Sequence, residues 1–380
     1  MNVAVIGGGF AGISCAATLL KLGHSVELFE QKDRLIPIQV RCFDRYIHPT
    51  LFDWPDCDID ANFRMSGINW SPGFADAVSR QTIESFDAIK SKHAMRYRPH
   101  FSMTIEDIEE TPEKKYTLLT DRRFTFSGFD AVFFTVGFGF ESPVMIGDRI
   151  RRYWATSNLD HIHGTKQSPV KVLVSGAGDG GLLSVLNCAL KNYDHAILHE
   201  LAPKIFSKRT KRRIAEIEKE IQNGIAGGEE VSVIAKYDEA FRSRIDGWKK
   251  HFEPLVSEEV NVVFNSVDRG VFSPGSAALN RILVYLLLRM DLIDFVGLPL
   301  KPDIVSEEVD ADHVDHIVDW PGRGQTRYRH IIVRHGVSRK FFENSFPTLE
   351  AAISPIKGLS PQLALERAIP DDILEILREL

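Results

Sequence analysis

The run Asn2-Val-Ala-Val-Ile6, followed by Gly7-Gly8-Gly9-Phe10-Ala11-Gly12 and then by Ile13, Ala16, Ala17 and Leu20, decides the fold. The first piece is apolar and β-branched, the last repeats apolar residues at helical spacing, and the glycines between them mark a tight turn. A second strand-like run, Ser25–Phe29, ends at Glu30, about 20 residues past the loop, which is the return distance of a βαβ unit. The spacing carries a mechanism. Gly7 permits the sharp turn, Gly9 lets a pyrophosphate approach the backbone, and Gly12 with Ala16 lets the helix lie close on the sheet. Phe10 and Ala11 fall in the first helical turn, whose N–H groups and dipole face the phosphates. Glu30 is placed to accept hydrogen bonds from a ribose diol. A glycine-rich turn that merely packs two elements is the alternative, but strand, helix and terminal carboxylate together point to a dinucleotide site.

On these residues the chain resembles the two-dinucleotide-binding flavoprotein superfamily, which includes glutathione-reductase-like enzymes and flavin-dependent monooxygenases. The resemblance implies that the first unit holds the ADP part of FAD; the spacing alone speaks only of an adenine dinucleotide. Tyr116–Thr120 and Arg123–Phe126 read as strands paired around Asp121-Arg122, and Asp130–Phe134 as a buried strand ending at Thr135-Val136-Gly137. That order is similar to the superfamily's β-meander and its following A-T-G strand, although valine stands here between Thr135 and Gly137. Gly137 is thereby marked as lying beside the dinucleotide.

Val170–Val174 followed by Ser175-Gly176-Ala177-Gly178-Asp179-Gly180-Gly181 repeats the spacing at Gly176, Gly178 and Gly181, and Leu182, Leu183, Leu186 and Leu190 mark the helix after it. The next expected strand, Ala196–Leu198, closes at His199-Glu200. Ser71-Pro72-Gly73 and Ser273-Pro274-Gly275 each open a helix-like stretch. Val314–Asp319 and Arg327–Val333 read as strands, the latter ending at Arg334-His335-Gly336. The expected fold is therefore α/β: two tandem Rossmann-like dinucleotide-binding units with β-hairpin insertions and a short helical C-terminal tail. The resemblance implies that residues 1–155 form an FAD-binding domain and 165–340 an NAD(P)-binding domain, with 341–380 as the tail. Glu200 suits the free 2′-hydroxyl of NADH, whereas Lys204, Lys208, Arg209, Lys211, Arg212 and Arg213 could neutralise the 2′-phosphate of NADPH; the same run also reads as a solvated helix face balanced by Glu216, Glu218 and Glu220. The second loop also resembles the S-adenosylmethionine loop of methyltransferases, with Val174 where that family has an acid.

The net charge of −6 offers no field for nucleic acid, so none is expected as a partner. Cys15, Cys42, Cys57 and Cys188 form no C-x-x-C pair, which argues against a vicinal redox disulfide and fits a reducing cytoplasm. The longest apolar run, Ile282–Leu288, is far short of the roughly 20 residues that span a bilayer. Met1–Leu20 lacks the basic start of a signal peptide. The N-hydroxylating and amine-oxidase signatures are missing, and the superfamily's C-terminal Gly-Asp segment has no counterpart after Gly336. Arg41–Pro55, with Arg45, Tyr46, His48 and Trp54, is the candidate active-site loop; a packed Trp54 and a hydrogen-bonded His48 are its structural alternative. Tyr153-Trp154 could stack on a cofactor ring or anchor a linker. His48 and His335 are the candidate catalytic residues. The expected activity is an FAD-dependent oxidoreductase in which NAD(P)H reduces the flavin and electrons pass to oxygen or a small-molecule substrate. A nucleotide-binding sensor and an S-adenosylmethionine-dependent methyltransferase are the alternatives, and the oligomeric state is open.

Overall fold

The computed structural model describes residues 1–43, 45–48, 51, 54–56, 63–65, 67–137, 153–154, 159, 162–191, 193, 201, 204–267, 270–310 and 313–336. The chain divides into two compact units, one built on Met1–Pro49 and Asp60–Phe140, the other on Glu141–Gly336 together with Thr50–Ile59. Residues 341–380, expected as a helical tail, lie outside the described residues.

The first unit opens β1 (Asn2–Ile6), α1 (Phe10–Lys21), β2 (Ser25–Glu30). Short pairs follow, β3 (Tyr46–Ile47) with β6 (Gly73–Phe74) and β4 (Phe63–Met65) with β5 (Ile68–Trp70). Then come α2 (Ala75–Lys92), β7 (Tyr97–Phe101), a three-stranded antiparallel layer β8 (Ile105–Glu110), β9 (Tyr116–Thr120) and β10 (Thr125–Phe129), and β11 (Ala131–Phe134). The main sheet is parallel, in the order β11-β1-β2-β7. Its central strand is buried on both faces, with Val3, Ala4 and Val5 fully enclosed, which is why Val3–Ile6 is a run of apolar residues that does not alternate. Gly12, Ala16 and Ala17 lie buried on α1, so the helix packs on small residues. On α2, Val78, Phe86 and Ile89 form the buried stripe.

The second unit follows the same plan: β12 (Val170–Ser175), α3 (Asp179–Ala189), then α4 (Lys208–Ala226), α5 (Val233–Phe241) and α6 (Ile245–Phe252), then β13 (Val260–Asn265), α7 (Ala278–Arg289) and β14 (Asp294–Val296). An antiparallel layer β15 (Val305–Asp310), β16 (His313–Trp320) and β17 (Gly324–Tyr328) precedes β18 (His330–Val333). The parallel sheet runs β14-β13-β12-β18, so α7 takes the place of α2 and β13 that of β2. Among the described residues, α4, α5 and α6 thus intervene between α3 and the strand that returns to β12.

Two expectations change. Arg327–Val333 is not one strand but the end of β17 and all of β18, parted at Arg329, whose N–H donates to the Lys171 carbonyl at 2.8 Å and turns the chain from the antiparallel layer into the parallel sheet. Ala196–Leu198 lies outside the described residues, and both edges of β12 are taken by β13 and β18.

Candidate functional site

Gly7 has φ +105°, its N–H donates to the Phe29 carbonyl at 2.8 Å, and a β-carbon there would come within 2.5 Å of the Thr135 carbonyl oxygen. A β-carbon on Gly12 would collide with the Gly7 carbonyl oxygen. Both glycines are required by the fold itself. Gly9 is different: its backbone is ordinary, φ −75° and ψ −172°, and an added β-carbon meets nothing within 4 Å. The amides of Phe10, Ala11 and Gly12 have no acceptor within the helix, and α1 has no side-chain cap. The cradle therefore presents open space, free N–H groups and the positive end of a helix, which fits a pyrophosphate.

Glu30, only 6% exposed, closes this cradle. Its Oε2 accepts the Gly8 amide at 2.7 Å and its Oε1 the Lys32 amide at 2.8 Å. A carboxylate has roughly four lone-pair positions, so two amides leave it able to take ribose hydroxyls. The Thr135 hydroxyl donates to the carbonyls of Ile6 and Gly7, at 2.9 Å each, and Gly137 follows at φ +73°.

The second loop has the same skeleton. The Gly176 N–H donates to the Asn265 carbonyl at 2.9 Å, as Gly7 does to Phe29, and the Arg334 N–H donates to Ser175 as Thr135 does to Ile6. A β-carbon on Gly176 would collide with the Arg334 carbonyl, and one on Gly181 with the Gly176 carbonyl oxygen. Gly178, at φ −82° and ψ 176°, faces open space as Gly9 does, and Gly336 has φ +81° as Gly137 has φ +73°. With the loops in register, Asp179 stands where Phe10 is and Ser266 where Glu30 is. Phe10 lies against the Trp70 ring, centroids 6.1 Å apart. The Asp179 carboxylate instead accepts the Ala277 amide at 2.9 Å and the Asn280 side-chain amide at 2.7 Å. Glu200 lies outside the described residues, and the strand end that carries Glu30 in the first unit carries Asn265-Ser266 in the second.

The other expected site residues are placed as follows. His48 and Arg45 are buried beside β3, and the Arg45 carbonyl accepts the Ala75 amide at 2.7 Å. Trp54 packs edge-on against Phe206 at 5.3 Å inside the second unit, a structural role. Tyr153 lies over Gly180, where a β-carbon would be 3.3 Å from its ring, and under the Arg334 guanidinium at 5.9 Å. The basic run opens α4, whose Ile214, Ile217 and Ile221 are buried while Arg213 pairs with Glu216 and Glu220. Glu218 does not belong to that charged face. It bonds to the fully buried Arg281 and accepts the Tyr237 hydroxyl at 2.7 Å. A cavity of about 380 Å³ reaches Cys188, Tyr193 and Val260, the first residue of β13, so it lies at the opposite end of the sheet from the glycine loop. Burial pushes the Cys15 pKa up to about 11. Among the described residues no cluster of metal-ligand type occurs, and no helix is long and apolar enough to cross a membrane.

Sequence reasoning missed Ser175, Asn265, Ser266 and Asp179. The available signal was a polar residue directly after an apolar run: Ser175 follows Val172–Val174, and Asn265-Ser266 follows Val262–Phe264.

Two parallel sheets, each opened by a glycine loop that leads into a helix, give the chain two Rossmann-type units, the plan of the superfamily its sequence resembles. Residues 5–37 match the model of an NAD(P)-binding Rossmann-like domain. Over 34 residues the chain is 62% identical to the methylenetetrahydrofolate–tRNA-(uracil-5-)-methyltransferase of Lawsonia intracellularis, a match that takes in 9% of this chain and 8% of that protein. Among solved structures it is similar to the bacillithiol disulfide reductase of Staphylococcus aureus, at 10% identity and a TM-score of 0.43 over 89% of this chain and 76% of that one. It is similar as well to the thioredoxin reductase of T. acidophilum, at 10% identity and a TM-score of 0.42 over 90% and 78%.

Proposed function

We propose that the protein is an FAD-dependent oxidoreductase whose first cradle holds the ADP part of FAD and whose second receives NAD(P)H, with oxygen or a small molecule as final acceptor. The observation that carries this reading is Gly9 with Gly178. Among the described residues neither backbone angle nor neighbouring atom asks for glycine at either place, and the open space before each helix start is where a pyrophosphate would sit. When bound, FAD supplies hydride and electron transfer that no side chain can perform. The chain's part is to seat it: the Phe10, Ala11 and Gly12 amides face the pyrophosphate, Glu30 takes the ribose hydroxyls, and Gly137 leaves room at the strand end. Gly176, Gly178 and Gly181 shape the corresponding seat in the second unit.

The test is the purified protein itself. Flavin released on denaturation, and bleaching of the bound flavin on anaerobic addition of NADH or NADPH, support the reading; colourless protein that binds neither flavin nor pyridine nucleotide overturns it. A second reading, a nucleotide-binding sensor without turnover, draws on Asp179, whose carboxylate occupies the first turn of the second cradle's helix. It is favoured by a bound nucleotide that no reductant changes.

A further inference from the structure

At three matched positions around the two glycine loops the units differ in kind. Ile6, Phe29 and Val136 of the first lie in one apolar cluster beneath the antiparallel layer. Their counterparts are Ser175, Asn265 and His335, linked by hydrogen bonds: Ser175 Oγ lies 2.6 Å from Asn265 Oδ1 and 2.7 Å from His335 Nε2. Ser175 is 2% exposed and Asn265 1%, so this chain was buried where apolar side chains serve the same fold.

The network has one direction. The Asn265 side-chain nitrogen donates to the carbonyls of Val296 and Leu298, at 2.8 Å each, which identifies it as the nitrogen and leaves Oδ1 as acceptor. Ser175 has a single hydroxyl hydrogen, and Oδ1 takes it. The serine oxygen must then accept from His335, so the proton of the neutral imidazole sits on Nε2 and the lone pair on Nδ1. The ring is anchored by its buried edge while the residue itself is exposed, beside Gly336 at the carboxyl ends of β12 and β18. Open α/β sheets bind ligands at that end. Desolvation of the ring draws its pKa below the ordinary imidazole value, which keeps it neutral at pH 7; the charged neighbour in sequence, Arg334, is turned to Tyr153 and Ser184.

We propose that Ser175 and Asn265 hold His335 with Nδ1 outward at the mouth of the second glycine loop, to accept a hydroxyl or amide hydrogen of the pyridine nucleotide seated there. This rests on the reading of the second cradle as the NAD(P)H site. It supplies a neutral acceptor to a cradle whose strand end carries Ser266 in place of a carboxylate.

Long-range ¹H–¹⁵N spectra of holoprotein labelled with ¹⁵N in both histidine and glycine test it, with His335 assigned by loss of its signals in His335→Gln. The expected result is an Nε2-protonated ring at pH 7, an Nδ1 resonance that moves on adding NADH or NADPH, and about tenfold weaker binding of both in His335→Gln. Ser175→Ala should release the tautomer preference and Ser175→Thr retain it. An Nδ1-protonated or freely exchanging ring in the unaltered protein overturns the proposal without any variant. So does an Nδ1 resonance that stays fixed while the Gly178 amide responds to the nucleotide. If neither nucleus responds but flavin is present, the reading of the second cradle fails instead, and the proposal with it.

Discussion

Glu30 Oε2 accepts the Gly8 amide at 2.7 Å, so the carboxylate expected to meet the ribose also holds the glycine loop in shape. Glu30→Ala leaves the Gly8 and Lys32 amides without their acceptor in a nearly closed site. It should lower unfolding stability by about 1–3 kcal/mol and flavin retention together. Glu30→Gln keeps one acceptor oxygen and should fall between. Urea unfolding and flavin content after gel filtration check both effects; unchanged stability in Glu30→Ala would refute the structural half of the role.

Gly9 and Gly12 should separate binding from folding. Gly9→Val places its side chain in open space at ordinary backbone angles, so the melting temperature should stay near that of the parent apoprotein while flavin is lost. Gly12→Ala drives a β-carbon into the Gly7 carbonyl oxygen and should lower the melting temperature as well. Circular dichroism melts beside flavin absorbance distinguish the two. A Gly9→Val protein that keeps its flavin would end the assignment of the first cradle.

Specificity in the second cradle should turn on Ser266, which is 4% exposed where Glu30 is 6% exposed. Ser266→Asp puts a negative charge at the strand end, where it should weaken NADPH at least about tenfold more than NADH through repulsion of the 2′-phosphate. Paired fluorescence titrations measure the ratio. Equal losses for the two nucleotides would mean that the ribose lies elsewhere.

Acid stability should depend on Asp130. A hydrogen bond and ion pair from Lys115 and the Asn2 amide hold its carboxyl below the ordinary carboxylate range. Because the folded state binds this proton later than the unfolded state, the contribution is present above the unfolded pKa of 3.8 and is lost as pH falls through the lower, folded value. Asp130→Asn should therefore lower the urea midpoint at pH 7 and flatten its decline below about pH 5. Parallel decline curves for the two proteins would show that the group contributes nothing.

Much of this molecule was written locally. The glycine spacings, the apolar central strands β1 and β12 and the helix starts at Phe10 and Asp179 depend on neighbours within a turn or two, so Gly7, Gly9, Gly12, Gly176, Gly178 and Gly181 could be read from the chain. Glu30 was legible for the same reason: α1 leads directly into β2, and β2 pairs with β1 from Asn2–Ser25 to Ile6–Phe29. Glu200 followed by the same arithmetic and lies outside the described residues; the strand found beside β12 is β13, with α4, α5 and α6 between it and α3, so that its place in the sheet was not reported by sequence distance.

The sequence by itself determined that two glycine-loop Rossmann units follow one another and where each loop lies, because those features are short-range matters of backbone conformation and helix dipole. Tertiary structure alone decided that β13 is the strand beside β12, that Ser266 answers to Glu30, and that Ser175, Asn265 and His335 meet. The reason is that β pairing joins residues far apart in the chain by hydrogen bonds between backbones, which no local pattern encodes.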